Sequence, residues 1–473
     1  MDFIISRIYD LLKETSSLIE FEEQVQILMY DTFATLVGEV FSEVNKVIKA
    51  DKQQENWKVE RTDEKGIQFI FGEVRFKRTL MYDEDDCPRY PLDEWLGFRK
   101  YQRQSPLVEL KVAELASKSD YRESSRILKE WTAVDLSHST IGKIVRRVGK
   151  AQSDADKKMV EELEDADKLP EGKKVDILYA ESDGVFVRDL KKKKHHEVSH
   201  AIVYDGWEKN GKRVSLTNRN VIMTTKSIDA FWSEVQAFTA NKYSLEYTQI
   251  VSNSDGGVGY SYERFKDAFS QSNLPLIHQL DAYHIGQALN RTFGWKKCPH
   301  KTKVKKSIED HNLDQFKLLV DTFESTLEDE KQIEKVSKFR NYMLNHWEYV
   351  KDWRKRTDNA PEDARGLGGM ESNQRHISFR MKKRGMHWSE EGAEAMVKVK
   401  QGLLNGTLRD AYLMAQTLPE KRSDRKHRKF KKTVHMGKLL HQKTRPSIGV
   451  KQGSIGVYTA HSSAIGNLAK IFS

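Results

Sequence analysis

Two aspartates and a glutamate carry the chemistry this sequence is best equipped to perform. Asp183 sits in ESDGVFV (181–187), Asp255 in SNSDGG (252–257) and Glu371 in GGMESNQRHISFRMKKRGMHWS (368–389). Carboxylates are hard oxygen ligands for Mg²⁺ or Mn²⁺, ions that keep several waters and are completed by substrate phosphates. Two such ions, roughly 3.5–4 Å apart, activate a water or a 3′-hydroxyl and steady the leaving oxygen in an in-line displacement at phosphorus. Glycine follows both aspartates (Gly184; Gly256 and Gly257) and lets a chain turn tightly beside a ligand. Each residue also has a plainer reading. An Asp-Gly pair is most often a turn, and Glu371 with Arg375 four residues on is often a surface ion pair. Glu181, on the same strand face as Asp183, and Asp281 are rival carboxylates.

The order of the elements that hold these residues lifts the set above its members. Strands are predicted at Val175–Val187, Glu197–Tyr204 and Val214–Met223, then a helix at Ile228–Tyr243 with apolar Phe231, Trp232, Val235 and Phe238. A strand at Thr248–Ser252, a helix at Tyr262–Phe269 and a strand at Leu274–Leu280 follow. Three strands and then alternating helix and strand is the order of an RNase H-like fold, in which the fourth strand pairs beside the first. Asp183 lies in that first strand, Asp255 immediately beyond the fourth, and Asp281 ends the fifth. Glu371 opens a later helix that can pack on the same edge. It lies 116 positions after Asp255, more than the bare fold needs. Between them the chain reads helical from Lys296 to about Trp353, with Phe316, Leu319, Val320 and Phe323 and then Ile333, Val336, Phe339, Met343 and Trp347 at helical spacing. The expectation is a multidomain α+β protein with an RNase H-like α/β core (173–295 and 367–420) interrupted by an all-helical insertion (296–366).

The N-terminal half supplies separate modules. Residues 1–55 read as a helical arm, either packed on their own protein or dimerising; residues 56–100 alternate with period two, as in VRFK, and read as a small antiparallel β unit. Arg75, Lys77 and Arg78 there could follow a phosphate backbone or keep a sheet edge soluble. Residues 101–152 contain three helices, the last beginning at Ser137 in SHSTIGKIVRRVGK, whose Lys143, Arg146 and Arg147 oppose an apolar face of Ile141, Ile144, Val145 and Val148. That arrangement resembles a DNA-binding helix-turn-helix. An acidic helix, Ala155–Asp167, and LPEGKK form a linker (153–172) that marks the expected boundary before the core.

The chain has 473 residues, 80 Lys+Arg against 70 Asp+Glu, and a net charge of +10. Its two cysteines, Cys87 and Cys298, are far apart, which excludes a disulfide scaffold or thiolate zinc site and suits a reducing, cytoplasmic setting. No stretch approaches the roughly 18 apolar residues of a membrane span, and the charged N-terminus is unlike a secretory signal. A basic excess attracts a polyanion, so nucleic acid is the expected partner. Residues 421–445, with Arg425, Lys426, Arg428 and Lys429, hold 11 Lys+Arg and one acid, which accounts for the whole net charge. With the rest of 421–473 they form a basic C-terminal segment and tail. Such a run is either a solvated tail or a sequence-independent DNA clamp.

YPLDEWLGF (90–98), SDYRESSRILKEWT (119–132), ESDGVFV, SNSDGG, LDAYHI (280–285) and ESNQRHISFRMKKRGMHWS (371–389) together resemble the DDE transposases of bacterial insertion sequences, of the ISLre type, with Mutator-like relatives. The resemblance spans nearly the whole chain, and the last motif is its most specific. It implies that Asp183, Asp255 and Glu371 form a DDE triad binding two Mg²⁺ or Mn²⁺ ions. It matches Asp281 and His284 to an Asp-x-x-His signature. It implies double-stranded DNA (element ends and target) as substrate, a homodimer or larger assembly, and hydrolysis followed by strand transfer without a covalent protein–DNA intermediate. Arg375, Arg380, Lys382, Lys383 and Arg384 then become candidates to hold the scissile strand, and the insertion a candidate to contact end DNA. The alternatives are an RNase H-like structure-selective nuclease and a transposase-derived DNA-binding regulator.

Overall fold

The computed structural model describes residues 2–166, 171–190, 195–294 and 299–416; the basic segment with Arg425, Lys426, Arg428 and Lys429 lies outside the described residues. The protein is mixed α+β and divides into two compact units. Among the described residues, no helix is long and apolar enough to cross a membrane.

The first unit contains residues up to Asp63 and Lys77–Leu96. Helix α1 (Asp2–Glu14) leads into α2 (Leu18–Gln54), 37 residues without a break. Ser17 caps α2 through the Glu20 backbone N–H, and Glu20 accepts in return from the backbone N–H of Ser16 at 2.8 Å. Of the apolar stripe, Leu11 is buried whereas Ile5, Leu12, Leu18, Ile19 and Met29 face solvent. Strands β1 (Lys58–Phe69) and β2 (Gly72–Tyr82) lie in a three-stranded sheet. The Asn45 side chain of α2 exchanges two hydrogen bonds with Thr79, to its backbone N–H and its hydroxyl, each 3.0 Å. Arg78 does not lie along an open edge: it pairs with Asp93 and stacks over Tyr90, 3.7 Å from the ring centre.

The second unit holds residues 64–76 and the rest of the described chain. Three helices come first: α3 (Pro106–Lys118), α4 (Tyr121–Trp131) and α5 (His138–Glu164), capped by Ser105, Asp120 and Ser137. Val108, Val112, Ile141, Ile144, Val145 and Val148 pack between them. The acidic helix expected from Ala155 is not a separate element: α5 runs through residue 152 and ends at Glu164. The helix is 27 residues long in all, with Ala151, Gln152 and Asp156 still buried. No helix breaker separates Lys150 from Asp154, and the apolar period continues through it. Gly149 makes the weld possible, since a Cβ there would fall 2.6 Å from the Cα of Ala395. Gly149→Ala is therefore expected to destabilise the protein by about 1–3 kcal/mol in urea denaturation, despite alanine's better helix propensity.

The five principal strands of the central sheet are β3 (Ile177–Asp189), β4 (His195–Tyr204), β5 (Asn220–Thr224), β6 (Gln249–Ser254) and β7 (Ile277–Leu280). Their spatial order is β7-β6-β3-β4-β5. β4 is antiparallel to both β3 and β5, whereas β6 is parallel to both β3 and β7. The third predicted strand, Val214–Met223, breaks at Asn218, which adopts φ +47: Arg213–Thr217 belongs to a hairpin and only Asn220–Thr224 enters the sheet.

Helices α6 (Ile228–Lys242) and α7 (Tyr262–Ala268) cover one sheet face through Phe231, Trp232, Val235 and Phe265. A separate helical core is built from α8 (Ala282–Phe293), α9 (Pro299–Glu309), α10 (Leu313–Glu324) and α11 (Glu330–Asn345), around Phe316, Val320, Val336, Phe339, Met343 and Trp347. The other sheet face carries α5 with α12 (Gly369–Asn373), α13 (Arg375–Met381) and α14 (Glu390–Asn405). Lys398 of α14, fully buried, donates to Asp156 of α5 at 2.7 Å and to Glu234 of α6 at 2.5 Å, so one ammonium ties three helices.

Candidate active site

The strand register makes the site. In the β3–β6 pair Glu181 faces Asn253, and in the β6–β7 pair Ser254 faces Leu280. Continuing both registers aligns Asp183, midway along β3, with Asp255 and Asp281, which directly follow the last residues of β6 and β7. The backbone N–H of Asp281 still donates to Ser254 O at 2.8 Å. Asp255 has left the strand, and the chain reverses at Gly256 with φ +78, where a β-carbon would also lie 2.9 Å from the His346 ring. Gly257 N–H donates to Asp255 Oδ1 at 2.8 Å, and the Tyr342 hydroxyl donates to Asp255 O at 2.9 Å. The helical insertion thus buttresses this corner.

Asp281 caps α8, accepting from Tyr283 N–H at 2.9 Å and contacting His284 Nδ1 through Oδ2 at 3.0 Å. With Nδ1 given to Asp281, Nε2 is left to face Asp183, 3.9 Å from its Oδ2. One ligand atom each from Asp183, Asp255 and His284 lie within 4.8 Å of one another. The hydrogen bond to Asp281 raises the His284 pKa, against the effect of burial, with Asp183 adding to the rise. Burial pushes the Asp183 carboxyl up to about 6; His284 opposes the shift and Asp255 adds to it. Asp183 Oδ1 accepts from Gly184 N–H at 2.7 Å, and its Oδ2 accepts from the Gln374 amide.

Glu371 is exposed on α12 and is not among the three converging groups. Gln374, which meets Asp183, lies three residues further on, so the two share a face of this segment. Glu181 fixes the start of α12. Fully buried on β3, it accepts from the backbone N–H groups of Gly368, Gly369 and Met370, each at 3.1 Å, and from the Tyr204 hydroxyl at 2.6 Å. Burial raises its pKa, opposed by those hydrogen bonds. Glu181 is therefore occupied in positioning the Glu371 segment.

The family profile described as "Uncharacterised protein family (UPF0236)" matches residues 11–417. The chain belongs to UPF0236. One relative, the "UPF0236 protein in vanSb 3'region" of Streptococcus gallolyticus, is 30% identical over 99% of both chains. Others come from Caldanaerobacter subterraneus subsp. tengcongensis. One is 24% identical over 84% of this chain and 80% of its own. Another, 23% identical over the same shares, bears a name that joins eleven numbered designations.

The basic residues of this UPF0236 protein divide sharply. Lys143 is exposed on α5, Arg146 half-buried, and Arg147 ion-paired with the buried Glu109 of α3. Arg375, Lys382, Lys383 and Arg384 are exposed, the last stacked 5.0 Å over Phe379. Arg380 departs from the expectation that it holds a phosphate. It is 2% exposed, donates to Ala116 O at 2.9 Å, and lies 5.4 Å from the Tyr121 ring centre and 5.1 Å from that of Trp388. On α13, Ile377, Arg380 and Met381 form the inward face, so position 380 cannot reach a ligand at the surface.

Two residues of the site have roles with little local signature: Gln374, and Glu181, which reads in the sequence only as a rival carboxylate. Gln374 carried a signal in its three-residue spacing from Glu371; the cap made by Glu181 carried none beyond sharing a strand face with Asp183. Glu181→Gln keeps the volume but turns an amide donor towards backbone donors. The expected cost is about 1–3 kcal/mol in urea denaturation, with loosening of α12.

Proposed function

We propose that this protein is a DNA transposase of the insertion-sequence type, acting through metal-dependent phosphodiester hydrolysis and strand transfer. The observation that carries the reading is the row of Asp183, Asp255 and Asp281 across three parallel strands, with His284 turned back onto Asp183. Counted along the chain, the sheet order is 5-4-1-2-3 with the second strand antiparallel to its neighbours, the arrangement expected of an RNase H-like core. A helical insertion between the fifth strand and the Glu371 segment accords with the same reading.

The donor set fits a divalent cation. Two carboxylates and one imidazole bring ligand atoms together where burial and mutual repulsion disfavour the Asp183 anion, a penalty that a cation would relieve. Asp183, Asp255 and His284 would hold it, with the exposed Glu371 on the adjoining α12 segment. When bound, the cation would supply charge stabilisation at phosphorus and a more acidic water or 3′-hydroxyl. The chain itself does the aiming. Gly184 and Gln374 orient the two Asp183 oxygens, Asp281 sets the His284 ring, and Glu181 holds the segment that carries Glu371. Lys143, Arg375, Lys382, Lys383 and Arg384 supply exposed charge for a DNA backbone. Joined designations in the name of one relative are what a gene present in several copies would produce, as mobile DNA leaves behind.

Purified protein, Mg²⁺ or Mn²⁺, and labelled DNA carrying the sequences that flank the gene test this reading. Nicks that expose 3′-hydroxyls, followed by joining to a second duplex, are expected. Cleavage without joining would make the protein a nuclease. Sequence-selective binding with neither step would make it a regulator.

A further inference from the structure

A cavity of about 490 Å³ opens among the C-terminal end of α3, α13 with the residues after it, and α14. Lys118, Arg375, Lys383 and Lys400 line it, with His376 and the half-exposed ring of Phe379; no carboxylate does. Among the described residues only Lys118 of these four cations has an ion-pair partner, Glu114, 3.2 Å away one turn earlier on an exposed face. Lys400 is the most deeply buried of the four. Burial, with Arg380 and Lys118 adding repulsion, pushes its ammonium down to about 8. Three cations with no ion-pair partner among the described residues, one of them withdrawn from water, store a repulsion that a bound anion relieves.

We propose that this cavity is a phosphate subsite for a DNA strand, with Lys400 as its central cation, Lys118, Arg375 and Lys383 around it, and Phe379 against a sugar or base. A strand suits it better than free phosphate. Four cations on three elements exceed what one dianion neutralises, and exposed Lys382 and Arg384 continue the charge beyond the cavity. An exposed aromatic ring beside cations is also the pairing that nucleic-acid strands use, backbone on charge and base on ring. The segment that forms one wall carries Glu371 and Gln374 just upstream, so a strand seated here passes near the acidic row. The inference rests on the DNA-binding part of the proposed function and not on cleavage.

The test uses the full chain without divalent metal and a fluorescent 20-base-pair duplex of arbitrary sequence, titrated by anisotropy at several salt concentrations. Lys118→Met with Lys400→Met is expected to weaken binding about tenfold and to flatten the log–log salt slope by about two, one for each phosphate that is no longer neutralised. Millimolar inorganic phosphate should raise the melting temperature of the native chain and not that of the variant. An unchanged slope in a folded variant overturns the proposal. So does loss of phosphate stabilisation with the slope intact, which would assign the cavity to free phosphate. Should the double variant not fold, Arg375→Gln with Lys383→Gln, both at exposed positions, carries the same measurement. Because no cleavage is read, this experiment and the strand-transfer assay fail independently.

Discussion

Asp183→Asn is expected to reduce metal-dependent cleavage and joining by on the order of a thousandfold or more, while binding to DNA ends changes little. Asparagine keeps the shape and still accepts from the Gly184 N–H, but it removes the anionic oxygen that faces Asp255 and His284. If that oxygen holds a cation worth several kcal/mol to the transition state, each 1.4 kcal/mol lost is about tenfold in rate. The fold should not suffer. Burial and the charge of Asp255 already disfavour the Asp183 anion, so the melting temperature is expected to hold or rise. Labelled ends incubated at saturating Mn²⁺ give the measurement, and retained cleavage would remove Asp183 from the mechanism. Asp281→Asn is the informative companion. It leaves the three converging ligand atoms and alters only the acceptor that turns His284, for which about 10–100-fold in metal affinity or activity is expected.

Lys398→Met is expected to be the most destabilising substitution considered, at about 3–5 kcal/mol in urea denaturation. The ammonium is fully buried, and the Asp156 and Glu234 side chains it pairs with are only 4% and 6% exposed. Removing it strands Asp156 away from water and leaves Glu234 with Lys226, 3.7 Å away, as its remaining ion-pair partner among the described residues. Burial already raises the Glu234 pKa, with Lys398 acting against the rise. Gln152 and Gln401 also donate to Asp156, at 2.8 and 2.9 Å, and would be left around an unpaired charge. Replacing all three charged groups together by apolar residues of similar volume should recover much of the loss, because desolvation of the ions is then avoided as well. A single substitution costing under about 1 kcal/mol would show that the three helices do not depend on this ion cluster.

Much of this architecture is legible along the chain. Apolar alternation around Asp183 and the helix–strand succession after it locate the strands of the central sheet to within a few residues, because local periodicity survives in each. Asp183, Asp255 and Asp281 can be ranked as neighbours since parallel strands in that order must align them. The failures have a common physical cause. Arg380 looks like a phosphate ligand because arginine is usually exposed, and nothing local reveals that helix phase turns it inward between Tyr121 and Trp388. The acidic run Ala155–Asp167 reads as a separate linker helix, but one of its residues, Asp156, is buried against Lys398, more than two hundred residues away in sequence. Gln374 and Glu181 act through contacts of comparable sequence separation. Spacing encodes what neighbours do; partners brought together by the fold must be seen.

Under the proposed function, the uninterrupted α5 would make reading and cutting a matter of fixed offset. Its first turns carry Lys143, and its later turns are locked to α14 at Gly149 and Asp156. Along this rod of 27 residues the two locks stand six and thirteen residues beyond Lys143, about 9 and 20 Å along the axis. Whatever the near end of that rod grips is held at a set distance and angle from the acidic row, with no tether to take up slack. Under the proposed function the protein would act as a caliper: inserting or deleting one or two base pairs between a gripped sequence and the scissile bond would present the wrong phosphate on the wrong face of the duplex.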